Sequence, residues 1–307
     1  MDAVIICGPT GSGKSAVGME IARRYKGSII SADSRQIYRR LDIGTAKPSK
    51  EDRAEIPHYM IDVADVNEDF TAARFAAEAI NNIELIIALN RIPILVGGTG
   101  LYIEALTEGI FIGPGKDEKI RRELKKTADA AGLHVLYERL ADVDPDTAEF
   151  ISPNDEVRII RALEIFEQTG IPPGRIRQTG DYLKSDLEFL WIGVAPPRSI
   201  LYRRIDTRVE KMVEDGLINE VKKLVEDGLS DHIKRKKIVG YYEIIDALNT
   251  SDDLANAIRL VKQHSRNYAK RQLTWFRNRT SPTWLNSDDS LFYDKVFALL
   301  DENFNRA

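Results

Sequence analysis

A phosphate-binding loop near the start of the chain constrains the fold more than any other feature. The stretch GPTGSGKS, Gly8 to Ser15, fits the pattern G-x-x-x-x-G-K-S. The apolar run AVIIC precedes it, and KSAVGMEIARRY follows with apolar residues at helical spacing. Strand, glycine loop and helix in this order indicate a parallel α/β sheet and disfavour a chance glycine-rich turn.

Further apolar runs support this fold. Residues 27–31 and 187–197 have the composition of buried parallel strands, and residues 91–109 predict a strand, a glycine turn and a helix. An alanine-rich helical pattern occupies residues 70–90. We predict an α/β protein with a P-loop NTPase-like parallel sheet core.

Charged helical patterns interrupt this alternation from residue 116 to about 186, without a comparable apolar strand. After Pro197 the pattern is again helical. A chain of 307 residues can hold one α/β domain and an insert. We therefore predict a core formed by 1–115 and 187–307, with helices in its C-terminal region, and a helical insertion domain at 116–186.

The phosphate loop suggests which groups it binds. Its glycines let successive backbone N–H groups point toward phosphate oxygens. Lys14 is expected to hold the terminal phosphates, and Ser15 to offer a hydroxyl ligand to Mg²⁺. The motif indicates a diphosphate or triphosphate without specifying ATP. The best strand nearby ends in Gly-Gly-Thr-Gly and not in an acid, and Asp62, after HYMI, is a weaker candidate for a metal role. Nucleotide hydrolysis is therefore disfavoured.

The stretch DSRQ, Asp33 to Gln36, follows the second predicted strand. Because parallel strands end at the same sheet edge, Asp33 is expected to face the phosphate loop. A carboxylate there suits a general base that removes a proton from an approaching nucleophile. The alternative is an Asx turn at the strand end. Gln36 could pair with an adenine edge, and Arg35 with a phosphate or a carboxylate.

The turn GGTG, Gly97 to Gly100, repeats this arrangement at the end of another strand. Its glycines permit close approach, and Thr99 begins a helix. Thr99 is thus either a site residue or a plain helix N-cap.

The distribution of charge complicates the choice of partner. The net charge of −4 argues against a nucleic-acid partner. However, residues 254–287 contain no Asp or Glu and seven Lys or Arg, interleaved with Tyr268, Trp275 and Phe276. This segment and KRKK at 234–237 predict phosphate contacts to RNA, although a solvated helix face remains the alternative.

Other features exclude several classes of protein. The first residues, MDAVIICGPT, contain an acid and a short apolar run, so neither a secretory signal nor a membrane span is expected. We therefore expect a cytoplasmic protein without a membrane partner. The single cysteine, Cys7, allows no intrachain disulfide and no cysteine-based zinc site, and is expected to pack in a strand.

Six motifs in register together resemble one family, the bacterial tRNA dimethylallyltransferases. They span residues 8 to 277 and read GPTGSGKS, DSRQIYRRLDIGTAKP, ILVGGTGLYI, PNDEVRIIRALEI, LYRRIDTRVEKM and YAKRQLTWFR. The resemblance implies that the phosphate loop holds dimethylallyl diphosphate instead of ATP. It also implies that the prenyl group goes to N6 of adenosine 37, beside the tRNA anticodon.

The resemblance implies a role for each matching residue. Asp33 would take the proton from the adenine amine, with Thr99 beside the reacting centre. The helical insert would grip the anticodon stem-loop. The implied diphosphate-binding residues, with Ser15 also on Mg²⁺, are Gly8, Thr10, Gly11, Ser12, Gly13, Lys14, Ser15 and Arg208. The implied tRNA-binding residues are Asp33, Ser34, Arg35, Gln36, Thr99, Arg122, Arg158 and Arg161.

Other functions use the same phosphate loop. A small-molecule kinase would bind ATP there, with Asp33 activating a hydroxyl, but needs neither the extra length nor a basic C-terminal helix. A regulatory nucleotide-binding protein would tolerate substitution of Asp33 and Thr99. A prenyltransferase acting on free adenine nucleotides would share the chemistry, whereas the insert and the basic tail favour tRNA. A monomer is expected by default.

Overall fold

The computed structural model describes residues 1–179, 182–250 and 253–304. The chain forms two compact units, a sheet unit of Met1–Glu108 with Ser185–Ala307 and a helical unit of Gly109–Lys184. The sequence placed the boundaries of the insert at 116 and 186. The observed boundaries, at 109 and 184, lie closer to the N-terminus. The helical unit includes two short strands that pair with each other.

Eight strands are present in the described ranges. In chain order they are β1 (Ala3–Cys7), β2 (Gly27–Ala32), β3 (His58–Tyr59), β4 (Ile92–Gly97), β5 (Ile110–Phe111), β6 (Tyr182–Leu183), β7 (Phe189–Val194) and β8 (Thr283–Leu285). Six of them form one parallel sheet in the order β3-β2-β4-β1-β7-β8. This confirms the predicted α/β fold with a parallel sheet.

Helices account for most of the remaining chain. In the sheet unit they are α1 (Lys14–Arg24), α2 (Lys50–Glu55), α3 (Ala72–Ala88), α4 (Gly100–Thr107), α10 (Arg198–Glu214), α11 (Leu217–Glu226), α12 (Ser230–Arg235), α13 (Tyr242–Thr250), α14 (Leu254–Arg279) and α15 (Phe292–Phe304). In the helical unit they are α5 (Glu118–Ala131), α6 (Leu133–Val143), α7 (Pro145–Glu149), α8 (Glu156–Thr169) and α9 (Pro173–Thr179). Across the described residues, no helix combines the length and apolarity that a membrane span requires.

The register of the sheet aligns three strand ends. Gly97, at the end of β4, is paired with Cys7 on one side and with Ala32 on the other. The phosphate loop and the DSRQ stretch begin directly after Cys7 and Ala32, and the GGTG turn begins at Gly97. Because β4 lies between β1 and β2, the GGTG turn lies between the other two segments. The topology therefore brings all three motifs to one edge.

The central strands are buried by apolar residues in β1 and by small and apolar residues in β2. All of β1 and β2 is buried, as expected for central parallel strands covered on both faces. Burial raises the pKa of the Cys7 thiol to about 12, so this cysteine is an inert core residue. A Cβ on Gly97 would lie 2.1 Å from the carbonyl oxygen of Ala32, so the close approach of β2 and β4 requires glycine there.

The helical unit has its own apolar core from α5, α6, α7 and α8, including Leu124, Leu140 and Leu163. Glu164 lies fully buried beside this core. Its carboxylate accepts hydrogen bonds from Arg121, Arg161 and the backbone N–H of Asp117, at 2.6 to 2.8 Å. Burial alone would raise the pKa of Glu164, but these donors lower it to about 2.

Candidate active site

The phosphate loop has the geometry that its glycines require. Gly11 and Gly13 adopt positive φ angles of 80° and 93°, in the region that glycine favours. Helix α1 begins at Lys14, directly after the loop. The Lys14 ammonium donates to the carbonyl oxygen of Pro9 at 3.2 Å. Burial lowers the pKa of Lys14 to about 8, while the charge of Asp33 opposes this shift and that of Arg208 adds to it.

Arg208 reaches the same loop from α10. Its guanidinium donates to the hydroxyl of Thr10 at 3.2 Å. Burial lowers the pKa of Arg208, and the negative charge of Asp33 acts in the opposite direction. Two partly buried cations therefore converge on the loop with one carboxylate near them, as expected for a pocket that receives a polyanion.

Asp33 makes a hydrogen bond to the backbone in addition to its electrostatic effect on Lys14 and Arg208. Its Oδ1 accepts a hydrogen bond from the backbone N–H of Arg35 at 2.9 Å, which forms an Asx turn. The two predicted interpretations of Asp33 are thus compatible, because one carboxylate oxygen makes the turn and the charge still acts on Lys14 and Arg208. The turn fixes the direction of the carboxylate.

Thr99 links the GGTG turn to the DSRQ stretch. Its hydroxyl accepts from the backbone N–H of Ser34 at 2.9 Å and donates to the Ser34 hydroxyl at 3.3 Å. The Thr99 side chain does not cap α4. Burial and the charge of Asp33 raise the pKa of the Tyr268 phenol, which lines the same cavity as Asp33. The Thr99 side chain therefore holds the DSRQ stretch instead of capping α4, and its place beside the reacting centre stays a prediction.

The Gln36 carboxamide makes internal contacts. It accepts from the Ser31 hydroxyl at 2.9 Å and donates to the carbonyl oxygens of Thr45 and Ala46 at 3.2 Å each. In this conformation Gln36 shapes the loop that lines the site. Its predicted contact with adenine stays a prediction and would require exchange of these bonds.

A cavity of about 280 Å³ joins part of the predicted site, without Ser34, Thr99 and the remaining loop residues Gly8, Gly11, Ser12 and Gly13. Thr10, Lys14, Ser15, Asp33, Arg35, Gln36 and Arg208 line it. Lys237 and Arg271, from the two basic segments, also line it, and so do residues that the sequence had not singled out: Gly44, Thr45, Ile238, Val239, Gly240 and Ser265. They come from loops and from the middle of α14, which only the tertiary fold brings to the strand edge. The motif YAKRQLTWFR was the available signal for α14.

The other predicted tRNA-binding residues lie in the helical unit. Arg122 on α5 and Arg158 on α8 are exposed. Arg161 is one-third exposed and donates to Glu164 at 2.6 Å and to the carbonyl oxygen of Pro114 at 2.7 Å. Arg161 therefore braces the unit, whereas Arg122 and Arg158 are exposed and Arg158 pairs with Asp155 at 3.3 Å.

The basic α14 is partly neutralised by acids from other elements. Lys262 pairs with Glu210 at 2.6 Å, Arg266 with Asp206 at 2.5 Å and Arg279 with Glu104 at 3.0 Å. Arg271 lines the cavity and lies over the Tyr268 ring. Counting charges within the segment alone therefore overestimates the positive charge that α14 carries in the folded protein.

The candidate metal role of Asp62 has a structural alternative. Its two carboxylate oxygens accept from Lys47 at 2.5 Å and Arg53 at 2.8 Å. Lys47 is almost fully buried and also donates to the carbonyl oxygen of Tyr38. Asp62 therefore neutralises two cations, and both of its oxygens are engaged.

Comparison with known proteins decides the family. The model of the IPP transferase family matches residues 36–279. A tRNA dimethylallyltransferase of Geobacter metallireducens is 45% identical over 282 residues, which cover 92% of this chain and 91% of the relative. The chain belongs to the IPP transferase family.

Solved structures of similar proteins agree with this family assignment. A full-length tRNA isopentenylpyrophosphate transferase of Bacillus halodurans is 38% identical, with a TM-score of 0.70 and 99% of both chains covered. A eukaryotic dimethylallyltransferase described as acting on tRNA is 28% identical, with a TM-score of 0.80 over 99% of this chain and 79% of the other. The family is thus shown over nearly the whole chain, and the matched segment begins at Gln36, inside the DSRQ stretch.

Proposed function

We propose that this protein transfers a dimethylallyl group from dimethylallyl diphosphate to N6 of adenosine 37 in the tRNA anticodon loop. The products are N6-dimethylallyladenosine and diphosphate. One observation carries the proposal: in a member of the IPP transferase family, Asp33 lines the same cavity as the phosphate-loop residues Lys14 and Ser15. The family match favours this function over a kinase or a regulatory nucleotide-binding protein.

Leaving-group stabilisation is the first task of the site. As the carbon–oxygen bond of the donor breaks, negative charge collects on the diphosphate and positive charge spreads over the allyl group. Lys14 and Arg208 line the cavity and would stabilise those oxygens, and loop N–H groups other than those of Thr10 and Ser12 would add to this. Their partial burial strengthens the interaction because water screens it less.

Activation of the acceptor is the second task. The exocyclic amine of adenine is a weak nucleophile because its lone pair is delocalised into the ring. Asp33 would accept the N6 proton as the new nitrogen–carbon bond forms. The Asx turn and the hydrogen bond between Thr99 and Ser34 hold the segment that carries Asp33, so the direction of its carboxylate is fixed. The adenine must leave its stack to reach the cavity.

We also propose that Mg²⁺ accompanies the diphosphate. Ser15 is exposed in the first turn of α1 and lines the cavity, so its hydroxyl fits the role of a single protein ligand. Within the described residues no group of three or more His, Cys, Asp or Glu could hold a metal ion. A site with the Ser15 hydroxyl as its one protein ligand suits Mg²⁺, because this ion commonly binds few protein ligands and fills its other positions with phosphate oxygens and water. The ion would supply charge neutralisation for the leaving group.

Contacts with the RNA follow from the same proposal. Ser34, Arg35 and Gln36 would contact the displaced adenine and its neighbours. Arg122 and Arg158 would contact the anticodon stem-loop, and so would Arg161 if it exchanges its bonds with Glu164 and Pro114. Binding that depends on such cations should weaken as the salt concentration rises.

A transfer assay tests the proposal. The protein is incubated with Mg²⁺, labelled dimethylallyl diphosphate and an unmodified anticodon stem-loop containing A36-A37-A38, beside a sample given ATP instead of the labelled donor. Label in the RNA, absent when A37 is replaced by guanosine, is the expected result. Phosphate transfer or release from ATP without label in the RNA would favour a kinase. A third sample contains AMP in place of the stem-loop, and label on AMP but not on the stem-loop would indicate a nucleotide prenyltransferase.

A further inference from the structure

Gln272 makes two contacts that connect separate parts of the site. This residue lies on α14 and is 6% exposed. Its Oε1 accepts from the backbone N–H of Thr10 at 2.8 Å, and its Nε2 donates to the carbonyl oxygen of Gly98 at 2.9 Å. One carboxamide therefore joins the phosphate loop to the GGTG turn.

Each end of this bridge leads to a residue with a proposed chemical role. Thr10 accepts the hydrogen bond from Arg208, which faces the donor. Gly98 precedes Thr99, whose hydroxyl holds the backbone of Ser34 beside Asp33. Gln272 thus lies between the group that stabilises the leaving diphosphate and the group that takes the proton from the acceptor.

The surroundings fit a carboxamide closely. A Cβ on Gly98 would lie 2.2 Å from Nε2 of Gln272, so glycine at this position makes room for the bond. Ala269 on α14 packs against Leu201 and Ile205 of α10, the helix that carries Arg208. The packing of α10 against α14 thus places Gln272 and Arg208 where both contact Thr10 of the phosphate loop.

The contact with Thr10 also says what Gln272 does not do. The N–H of Thr10 points to the carboxamide and is already used, so it is not a free donor for the diphosphate. Ground-state binding of the donor then depends on Lys14, Arg208 and the remaining loop. Loss of Gln272 should disturb the alignment of donor and acceptor more than the affinity for either.

We propose that Gln272 is a positioning residue that holds the phosphate loop and the Thr99–Asp33 segment at a fixed separation for prenyl transfer. The inference rests on the proposed function. A neutral carboxamide is required because one end must accept from an N–H and the other must donate to a carbonyl. A misplacement of about 1 Å between reacting groups can lower the rate about 100-fold.

Gln272→Glu tests the proposal with little change in volume. Above the pKa of the new carboxyl, the side chain can accept from Thr10 but cannot donate to Gly98. We expect kcat to fall about 10- to 100-fold, with the KM for the stem-loop changed less than about threefold. The added charge is expected to raise the KM for the donor. Gln272→Ala lacks that charge and should lower kcat with both KM values nearly unchanged.

A pH profile separates positioning from packing. Once protonated, the carboxyl introduced by Gln272→Glu again offers one donor and one acceptor, and burial raises its pKa. The kcat of this variant relative to wild type should therefore recover as the pH is lowered from about 8 to about 5.5, toward the raised pKa. Asn81→Asp, an amide-to-acid change at an exposed position on α3, is the matched control and should behave as wild type throughout.

Each outcome decides one question. No transfer by the wild-type protein in the presence of both substrates would overturn the proposed function itself. With an active wild type, a kcat within twofold for both Gln272 variants would overturn the positioning role, as would a rise in KM alone. If Gln272→Ala does not fold, the pH profile of Gln272→Glu carries the test, and a constant ratio to wild type across pH would contradict the proposal.

Discussion

The hydroxyl of Thr99 accepts a hydrogen bond from the backbone N–H of Ser34 at 2.9 Å. The two residues are far apart in sequence and follow neighbouring strands, β4 and β2. Because Ser34 is adjacent to Asp33, this bond restrains the proposed base relative to the sheet. A loop residue thereby obtains the fixed position that proton abstraction requires.

Asp33→Asn distinguishes a base from a turn residue. An Asn side chain can still accept from the Arg35 N–H and keep the Asx turn, but it cannot take a proton at neutral pH. We expect kcat to fall by about 100- to 10,000-fold, the range for loss of a general base. Single-turnover transfer to the stem-loop measures this rate.

Donor binding provides the control for this variant. The charge of Asp33 raises the pKa of Lys14 but would repel a diphosphate, so its loss should leave donor affinity similar or slightly higher. Calorimetric titration with dimethylallyl diphosphate measures this affinity. Transfer within threefold of wild type would leave Asp33 with the structural role alone.

The pKa of Lys14 predicts how donor capture depends on pH. Burial lowers this pKa to about 8 in the free protein, so Lys14 is charged at pH 7 and loses its proton as the pH rises through 8. We expect kcat/KM for the donor to fall above pH 8, approaching tenfold per pH unit. Lys14→Arg stays charged and should remove this fall, although with lower activity at pH 7. A flat wild-type profile up to pH 9.5 would contradict the assignment.

Arg208 is expected to act on donor affinity and on the leaving group together. Arg208→Gln removes a charge-assisted interaction, typically about 1.5–3 kcal/mol, so the KM for the donor should rise about 10- to 100-fold. The KM for the stem-loop should change little. Arg203, exposed on the same helix, provides the matched control as Arg203→Gln. Equal effects of both variants would mean that bulk charge matters and the contact with Thr10 does not.

The sequence predicted the parts of the fold that depend on local pattern. The AVIIC run corresponds to β1 residue for residue, and the patterns at 27–31 and 70–90 correspond closely to β2 and α3. The edge strands β3 and β8 were missed because they have two and three residues, too few for periodicity to be visible. They form strands through pairing with β2 and β7.

The site was predictable where a residue follows a central strand. Lys14, Asp33 and Thr99 satisfy this condition, and β1, β2 and β4 bring them to one edge. Gln272 does not, because its partners are 262 and 174 residues away and its helix pattern alone indicates only an amphipathic face. Arg161 resembles an RNA contact in sequence, yet its ion pair with Glu164 depends on burial that only packing reveals.

Glu164 should control the stability of the helical unit. Its carboxylate is fully buried among Arg121, Arg161 and the Asp117 N–H. Glu164→Gln keeps the volume but removes the charge that compensates two arginines. Because those arginines are about one-third exposed, we expect about 2–3 kcal/mol of destabilisation, below the range for a fully buried pair. Urea unfolding, followed by circular dichroism, measures the loss.

The pH dependence of this loss has a definite sign. The pKa of Glu164 is lowered from 4.5 to about 2 in the folded protein, so its stabilisation is complete above pH 4.5 and declines as the pH falls toward 2. The difference between wild type and Glu164→Gln should therefore shrink across this window. Glu167→Gln removes a more exposed pair with Arg139 and should cost less than about 1 kcal/mol. Equal losses for the two variants at pH 7 would mean that burial of Glu164 contributes nothing beyond a surface ion pair.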